Sequence, residues 1–393
     1  MPQRSYSVSD SRINSELRVG FNCYLLTAPQ TRGWIRYTVN LLAKLPDSGV
    51  RPILYSNGPI HENHLRYLPS GSFEVRASAC MRYSAWQNFW LPRQLRSDRV
   101  DLIHSPMNYG LPLWAPCPKV LTLHDAIDQV YYHPKTPWRK RIRPASLRSR
   151  FEHWTARRFA DHIITVSYHA KDDLVRHLGL SPDNVSVIYE ATDPKLLEVV
   201  QTEEARLMGP AYFFYVGGLE DRKNIPFLFE AFAAAKIPGV ELRLAGGREN
   251  EQSELQALAT ELGISDRVRF LGFVADHELA ALYQRALAFV YPSKYEGFGL
   301  QLVEAMSLGT PVLAARATCL PEILGDGGDT FSLDNVDELV AELTKIAGEP
   351  AYRAELSTRG LQRSAAFSWD NAAQETAAVY HRVLRINLTP RTR

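Results

Sequence analysis

Apolar runs in this chain stop well short of the roughly 20 residues that cross a bilayer, so no membrane-spanning helix is expected. Residues 1–16 are polar and lack the hydrophobic stretch of a secretory leader; they read as a flexible tail. Cysteine is scarce. Cys23, Cys80, Cys117 and Cys319 lie too far apart for a zinc site or a disulfide framework, and a reducing cytoplasm suits them. No Asp-x-Asp triplet is present to hold a divalent metal, so neither metal nor cofactor is expected. No Gly-x-Gly-x-x-Gly follows the first strand, which argues against a dinucleotide oxidoreductase. Internal repeats and low-complexity segments are lacking too.

What is present is a globular composition, 45% hydrophobic and 22% charged, in 393 residues, more than one ordinary core accommodates. A net charge of +2 conceals an asymmetry: residues 1–200 carry 26 Lys and Arg against 17 Asp and Glu, whereas 201–393 carry 19 against 26. One basic and one acidic half fit two domains with different partners. Strand-like runs at 17–22, 52–55, 102–104, 120–123 and 162–166 alternate with helical stretches at 34–45, 86–96, 147–159 and 171–178. The alternation restarts after Val200, with strands at 211–217, 240–245, 267–271 and 286–291 and helices at 224–235, 251–262 and 277–286. This predicts an α/β fold of two doubly wound, Rossmann-like parallel sheets facing across a cleft, with ligands beyond the carboxyl ends of the strands.

The stretch from Tyr291 to Pro311 is the most informative. A buried strand hands over, through Glu296-Gly297-Phe298-Gly299, to a short helix over Leu300–Leu308, ended by Gly309 and Pro311. Free amides at Gly297 to Leu300 make an anion site at that helix start. Glu296 and Glu304 would not help hold an anion, and ionised carboxylates suit hydroxyls instead. A nucleotide sugar offers hydroxyls on both sides of its diphosphate.

This segment resembles the carboxylate-pair motif of retaining glycosyltransferases of the GT-B fold, glycosyltransferase family 4. The resemblance runs from about Leu17 to about Leu384. It implies that Glu296 contacts the donor sugar, that Glu304 holds the ribose hydroxyls, and that the amides of Gly297, Phe298, Gly299 and Leu300 face phosphate. It also implies a domain order: a tail at 1–16, an acceptor-side domain at 17–195 with a helix at 371–386 crossing back to it, and a nucleotide-sugar domain at 205–370.

Three further segments match. After the strand ending at Gly217-Gly218, Arg222 and Lys223 sit where cations oppose a helix dipole unless an anion compensates. The resemblance makes that anion the donor diphosphate; some relatives carry an Arg at the Gly218 position, which this chain lacks. His124-Asp125 ends a strand; the resemblance turns His124 to the donor sugar, while Asp125 supports its loop. In Thr31-Arg-Gly-Trp-Ile-Arg-Tyr37, Gly33 matches a glycine beside the phosphates. Ile35 replaces a second glycine, and a β-branched residue suits φ > 0 poorly, so this loop is expected to be displaced, with Trp34 lining the acceptor side. Pro292-Ser-Lys294 and Pro321-Glu322 match as wall segments without chemistry, and Phe273–Ala275 are expected near the base.

The resemblance implies a metal-independent hexosyltransferase moving sugar from a nucleoside diphosphate to a hydroxyl of a glycan or lipid-linked saccharide, with His124, Glu296, Arg222 and Lys223 catalytic. The Leu-Glu-x-Arg-Lys-Asn wording leans towards mannosyltransferases and GDP-mannose. A nucleotide-sugar epimerase and a non-catalytic nucleotide-sugar binder are the alternatives. Lys135–Arg158 holds nine Lys and Arg, one acid, Trp138, Phe151 and Trp154. It suits an anionic membrane surface, peripheral on the inner face of the plasma membrane, and a solvated helix face explains it equally well. No nucleic-acid motif accompanies it.

Overall fold

The computed structural model describes residues 16–29, 33–68, 73–132, 144–198 and 209–388. The tail at 1–15, Thr31 and Arg32, residues 133–143 of the basic stretch and 199–208 of the expected join lie outside them.

Two parallel sheets carry the fold. The first takes β1 (Leu17–Asn22), β2 (Val50–Ser56), β3 (Glu74–Ala77), β4 (Leu102–Ser105), β5 (Lys119–Thr122), β6 (His162–Thr165) and β7 (Val185–Val187) in the order β3-β2-β1-β4-β5-β6-β7. The second takes β8 (Ala211–Val216), β9 (Val240–Ala245), β10 (Val268–Gly272), β11 (Ala288–Tyr291), β12 (Val312–Ala315) and β13 (Asp329–Phe331) in the order β10-β9-β8-β11-β12-β13. Central strands such as β4, β11 and β12 are buried at every residue, as in a parallel sheet covered on both faces. Strand order reverses beside β1 and beside β8, and the crevice outside the carboxyl ends at such a point is where ligands of doubly wound sheets bind. This is the GT-B class of α/β fold.

By compactness the chain divides into Met1–Thr122, Trp154–Ile163 and Ala373–Arg393 as one unit, and Leu123–His153 and Ile164–Ala372 as the other. Leu123–His153 and residues 164–195, placed with the N-terminal half by sequence, group here with the second unit. The last helix, Trp369–Leu388, has its residues from Ala373 on in the first. There Tyr380 Oη lies 2.7 Å from Nδ1 of His104 on β4, whose Nε2 is 2.8 Å from Thr122 Oγ1. Both rings are fully buried.

An aromatic core backs the second sheet. Tyr283 meets Phe214 and Phe289 edge-on, and Tyr215 stacks with Tyr291 at 6.2 Å. The expected helix at 86–96 is composite, a π-helical turn at Trp86–Trp90 followed by an α-helix at Leu91–Ser97.

Candidate active site

β8 ends at Val216, and Gly217, with φ +154°, opens the turn that leads through Asp221–Lys223 to the helix Ile225–Ala235. β11 ends at Tyr291, and the loop behind it returns at Glu296. Both segments meet at one carboxylate oxygen. Glu296 Oε1 accepts from Lys223 Nζ at 2.6 Å, Arg222 Nη1 at 2.9 Å, Ser293 Oγ at 2.6 Å and Tyr291 Oη at 3.1 Å. Lys223 Nζ also donates to Tyr291 Oη at 2.7 Å, and Arg222 Nη2 reaches Glu220 Oε1 at 2.7 Å.

Lys223 and Glu296 are buried. Burial alone would raise the Glu296 carboxyl, but Lys223, Arg222 and the Ser293 hydroxyl outweigh it and hold the group below its ordinary range. Burial lowers the Lys223 ammonium, against the pull of Glu296. For Arg222 burial opposes the charge, yet Glu296 and Glu220 raise its pKa further above the ordinary guanidinium value. The group stays ionised because each charge has a counter-charge in hydrogen-bond reach.

The glycine loop has steric reasons for its composition. A Cβ on Gly297 would lie 2.3 Å from the His124 carbonyl oxygen, and the Gly297 carbonyl accepts from Ser167 Oγ at 2.6 Å. Gly299 has φ +88° and begins the helix Leu300–Ser307, while Gly309, with φ +71°, follows its end. Phe298 is buried beside Tyr189 and Phe367. Among the described residues the amides of Gly297 to Leu300 take part in no main-chain hydrogen bond, so the helix dipole and free N–H groups coincide there. Glu304 lies within the helix, buried, and accepts from Tyr283 Oη at 3.0 Å. Each carboxylate of the pair thus has its own tyrosine.

His124 follows β5, and its Nδ1 lies 3.0 Å from Glu190 Oε1, both side chains buried. A carboxylate at Nδ1 fixes the ring and directs Nε2 away from it. Asp125 accepts from the Ile127 amide at 3.1 Å. Burial raises its carboxyl. Beyond it Tyr131 Oη donates to Asp221 at 2.6 Å, and Lys294 Nζ donates to the other oxygen of Asp221 at 3.1 Å.

Two expectations need correction. Ile35 is not in a strained loop: the helix Gly33–Lys44 already includes it, buried and without positive φ. Gly33 is the exposed first residue of that helix, with nothing near a hypothetical Cβ. The wall segments are not inert: Ser293 binds Glu296, and Glu322 accepts from the amides of Tyr168 and His169 at 2.8 and 3.0 Å, capping the helix Tyr168–Leu178. Sequence reasoning also passed over Tyr291 and Glu190. Tyr291 and Ser293 stand five and three residues before Glu296, a spacing that was legible. Glu190 follows β7 as His124 follows β5, but their proximity depends on strand order, which sequence does not print.

Two open grooves of about 650 and 530 Å³ flank Arg243. Neither is lined by the Glu296 group, and Arg243 is already paired with Glu241 at 2.8 Å, so size does not mark the chemistry here.

Family models match both halves: "Glycosyltransferase Family 4" over residues 32–196 and "Glycosyl transferases group 1" over 200–363. The O-antigen chain mannosyltransferase B of Escherichia coli is 32% identical over 296 residues, covering 72% of this chain and 75% of that one. The chain belongs to glycosyltransferase family 4. This glycosyltransferase also shares 34% identity over 227 residues with an MMP alpha-(1->4)-mannosyltransferase of Mycolicibacterium hassiacum, across 56% of this chain and 54% of the relative. In fold it is similar to the Anabaena protein HepE, solved in complex with UDP and glucose, at TM-score 0.72 and 21% identity, over 93% of this chain and 99% of that one. The enzyme is a glycosyltransferase of GT-B fold. Among its described residues no helix is long and apolar enough to cross a membrane.

Proposed function

We propose that the enzyme transfers mannose from GDP-mannose, with retention and without a metal, to a hydroxyl of a glycan or lipid-linked saccharide. The observation that carries this is the convergence of Arg222 and Lys223 on Glu296 beside the free amides of Gly297 to Leu300. The cations and amides hold the diphosphate, a task in which Arg forks and Lys acts as a point charge. All four bonds fall on Glu296 Oε1, so Oε2 is the oxygen that receives a sugar hydroxyl. Glu304 takes the ribose hydroxyls. His124, oriented by Glu190, faces the sugar as its oxocarbenium character grows.

As the C1–O bond to phosphate breaks, Arg222, Lys223 and the amides stabilise the departing diphosphate. The acceptor oxygen attacks C1 from the same face, and its proton passes to the leaving phosphate oxygen. Mannose is the first choice of sugar because the two curated relatives described are named mannosyltransferases. We further propose that the enzyme works on the cytoplasmic side of an anionic membrane. In the helix Pro144–Phe159, Phe151 and Trp154 are 53% and 51% exposed, beside the exposed Arg150, Arg157 and Arg158.

The test is acceptor-dependent release of GDP in the presence of EDTA. Release that requires an α-mannoside acceptor and persists under chelation supports the proposal. Release without acceptor, epimerised donor, or activity lost to EDTA and restored by a divalent ion contradicts it.

A further inference from the structure

Where strand order reverses in the first sheet, between β1 and β4, the chain builds a partly exposed aromatic cluster that the donor chemistry does not use. Tyr24 follows β1, Trp34 lies in the helix after it, Tyr83 precedes the π-helical turn, and Tyr109 follows β4; all four are half-buried. Tyr83 links them, with its ring centroid 4.4 Å from Tyr24 and 6.2 Å from Tyr109, whose ring stands edge-on to Trp34 at 6.3 Å. Fully buried Trp86 stacks under Tyr83 at 6.0 Å and anchors the group to the core formed by Ile53, Leu91, Leu95 and Ile103.

The polar frame around these rings is fixed too. Asn22 Nδ2 donates to the Gly110 carbonyl at 2.8 Å, and Ser105 Oγ donates to the Tyr109 carbonyl at 2.7 Å. Gly110, with φ +101°, has those same two side chains 2.7 Å from where a Cβ would stand, so only glycine lets the loop fold back and present Tyr109. A loop whose main chain is held by side-chain hydrogen bonds, with a stacked core residue behind its rings, binds without a large ordering cost. Tyrosine and tryptophan offer an apolar face and a polar tip. That combination matches a sugar ring, which has C–H faces and a hydroxyl edge. Every side chain in the group is uncharged, so a phosphate on the ligand would find no counter-charge among them.

We propose that Tyr24, Trp34, Tyr83 and Tyr109 form the acceptor platform, and that the acceptor it takes is a neutral oligosaccharide rather than a phosphorylated sugar. This rests on the glycosyl-transfer reading and adds the acceptor's chemical class. Sugar rings lie against Trp34 and Tyr109, while Tyr83, whose hydroxyl is buried, supports them from beneath.

Calorimetric titration of the full chain with an α-mannose trisaccharide, with mannose 6-phosphate and with GDP-mannose tests it. The wild type should bind the trisaccharide more tightly than the phosphate. Trp34→Ala and Tyr109→Ala should each weaken trisaccharide binding by about tenfold or more, and Trp34→Phe and Tyr109→Phe by no more than about threefold. GDP-mannose affinity should stay unchanged in all four, which also certifies that they fold. Equal trisaccharide affinity in either folded alanine variant, or preference for mannose 6-phosphate, overturns the proposal. So does failure of the trisaccharide to bind a wild type that binds GDP-mannose. If GDP-mannose itself does not bind, the donor reading falls and the platform with it.

Discussion

Four donors on a single carboxylate oxygen make Glu296 as much a structural residue as a chemical one. Glu296→Gln strands the buried Lys223 without its counter-charge, while half-buried Arg222 keeps Glu220, and breaking such a group costs about 3–5 kcal/mol. Chemical denaturation should report that loss together with the loss of activity. The pH dependence follows from the same contacts. Because the folded-state value lies below the ordinary 4.5, the stability contributed by ionised Glu296 is whole above that value and is lost as pH falls through the depressed one. The acid limb of the stability curve should therefore be shallower in Glu296→Gln; an unchanged limb would mean that the carboxyl is not held down by Lys223 and Arg222. At His124, Glu190→Ala should lower kcat more than KM, with Glu190→Gln recovering part of it through the retained acceptor at Nδ1. If Glu190→Gln and Glu190→Ala behave alike and move only KM, the carboxylate does not orient the ring.

Glycines decide how the elements join. Gly297 is required by the approach of the β5 loop, not by its own dihedral angles, since the atom that would clash is the His124 backbone oxygen. Gly297→Ala should therefore lower Tm and disturb donor binding together, whereas Gly299→Ala should carry the cost of a left-handed residue, about 1–2 kcal/mol. Equal stability of Gly297→Ala and wild type would show that the loop yields freely. The handover from β11 to the helix at Leu300 was legible because its signals are local: an apolar run, two glycines, then helical spacing closed by Gly309. β3 and β13 were not legible. Each is three or four residues of mixed burial, too short for a period to show, and each exists because a neighbouring strand offers it hydrogen bonds. Trp86–Trp90 is similar: helical spacing was readable, but the wider π turn follows from packing Trp86 inward while Phe89 stays 63% exposed.

Across the whole molecule, the sequence displayed two cycles of alternating strand and helix, and the two parallel sheets follow them. That residues from Ala373 on group with the first unit was expected from the family resemblance and not from linear order, because it depends on contacts made across most of the chain. Tyr380 on His104 is one of them. Tyr380→Phe should cost about 1 kcal/mol, the usual worth of one hydrogen bond, more if the His104 nitrogen is left unsatisfied. No change in the unfolding midpoint would show that the helix is held by its apolar face alone. The proposed donor site was legible as residue types and only partly as geometry: Arg222, Lys223 and Glu296 do meet, while the hydrogen bonds of Glu304 and His124 run to Tyr283 and Glu190, which no motif named. Of the two cations, Arg222 is the cleaner probe, since Glu296 retains Lys223 when it is removed. The most direct measurement is calorimetric titration of GDP into wild type and Arg222→Met, both checked for native circular dichroism. Loss of a charge-assisted contact to the diphosphate should weaken GDP by about 10- to 100-fold. Equal affinity in the two proteins would contradict the assignment of this cluster to the donor.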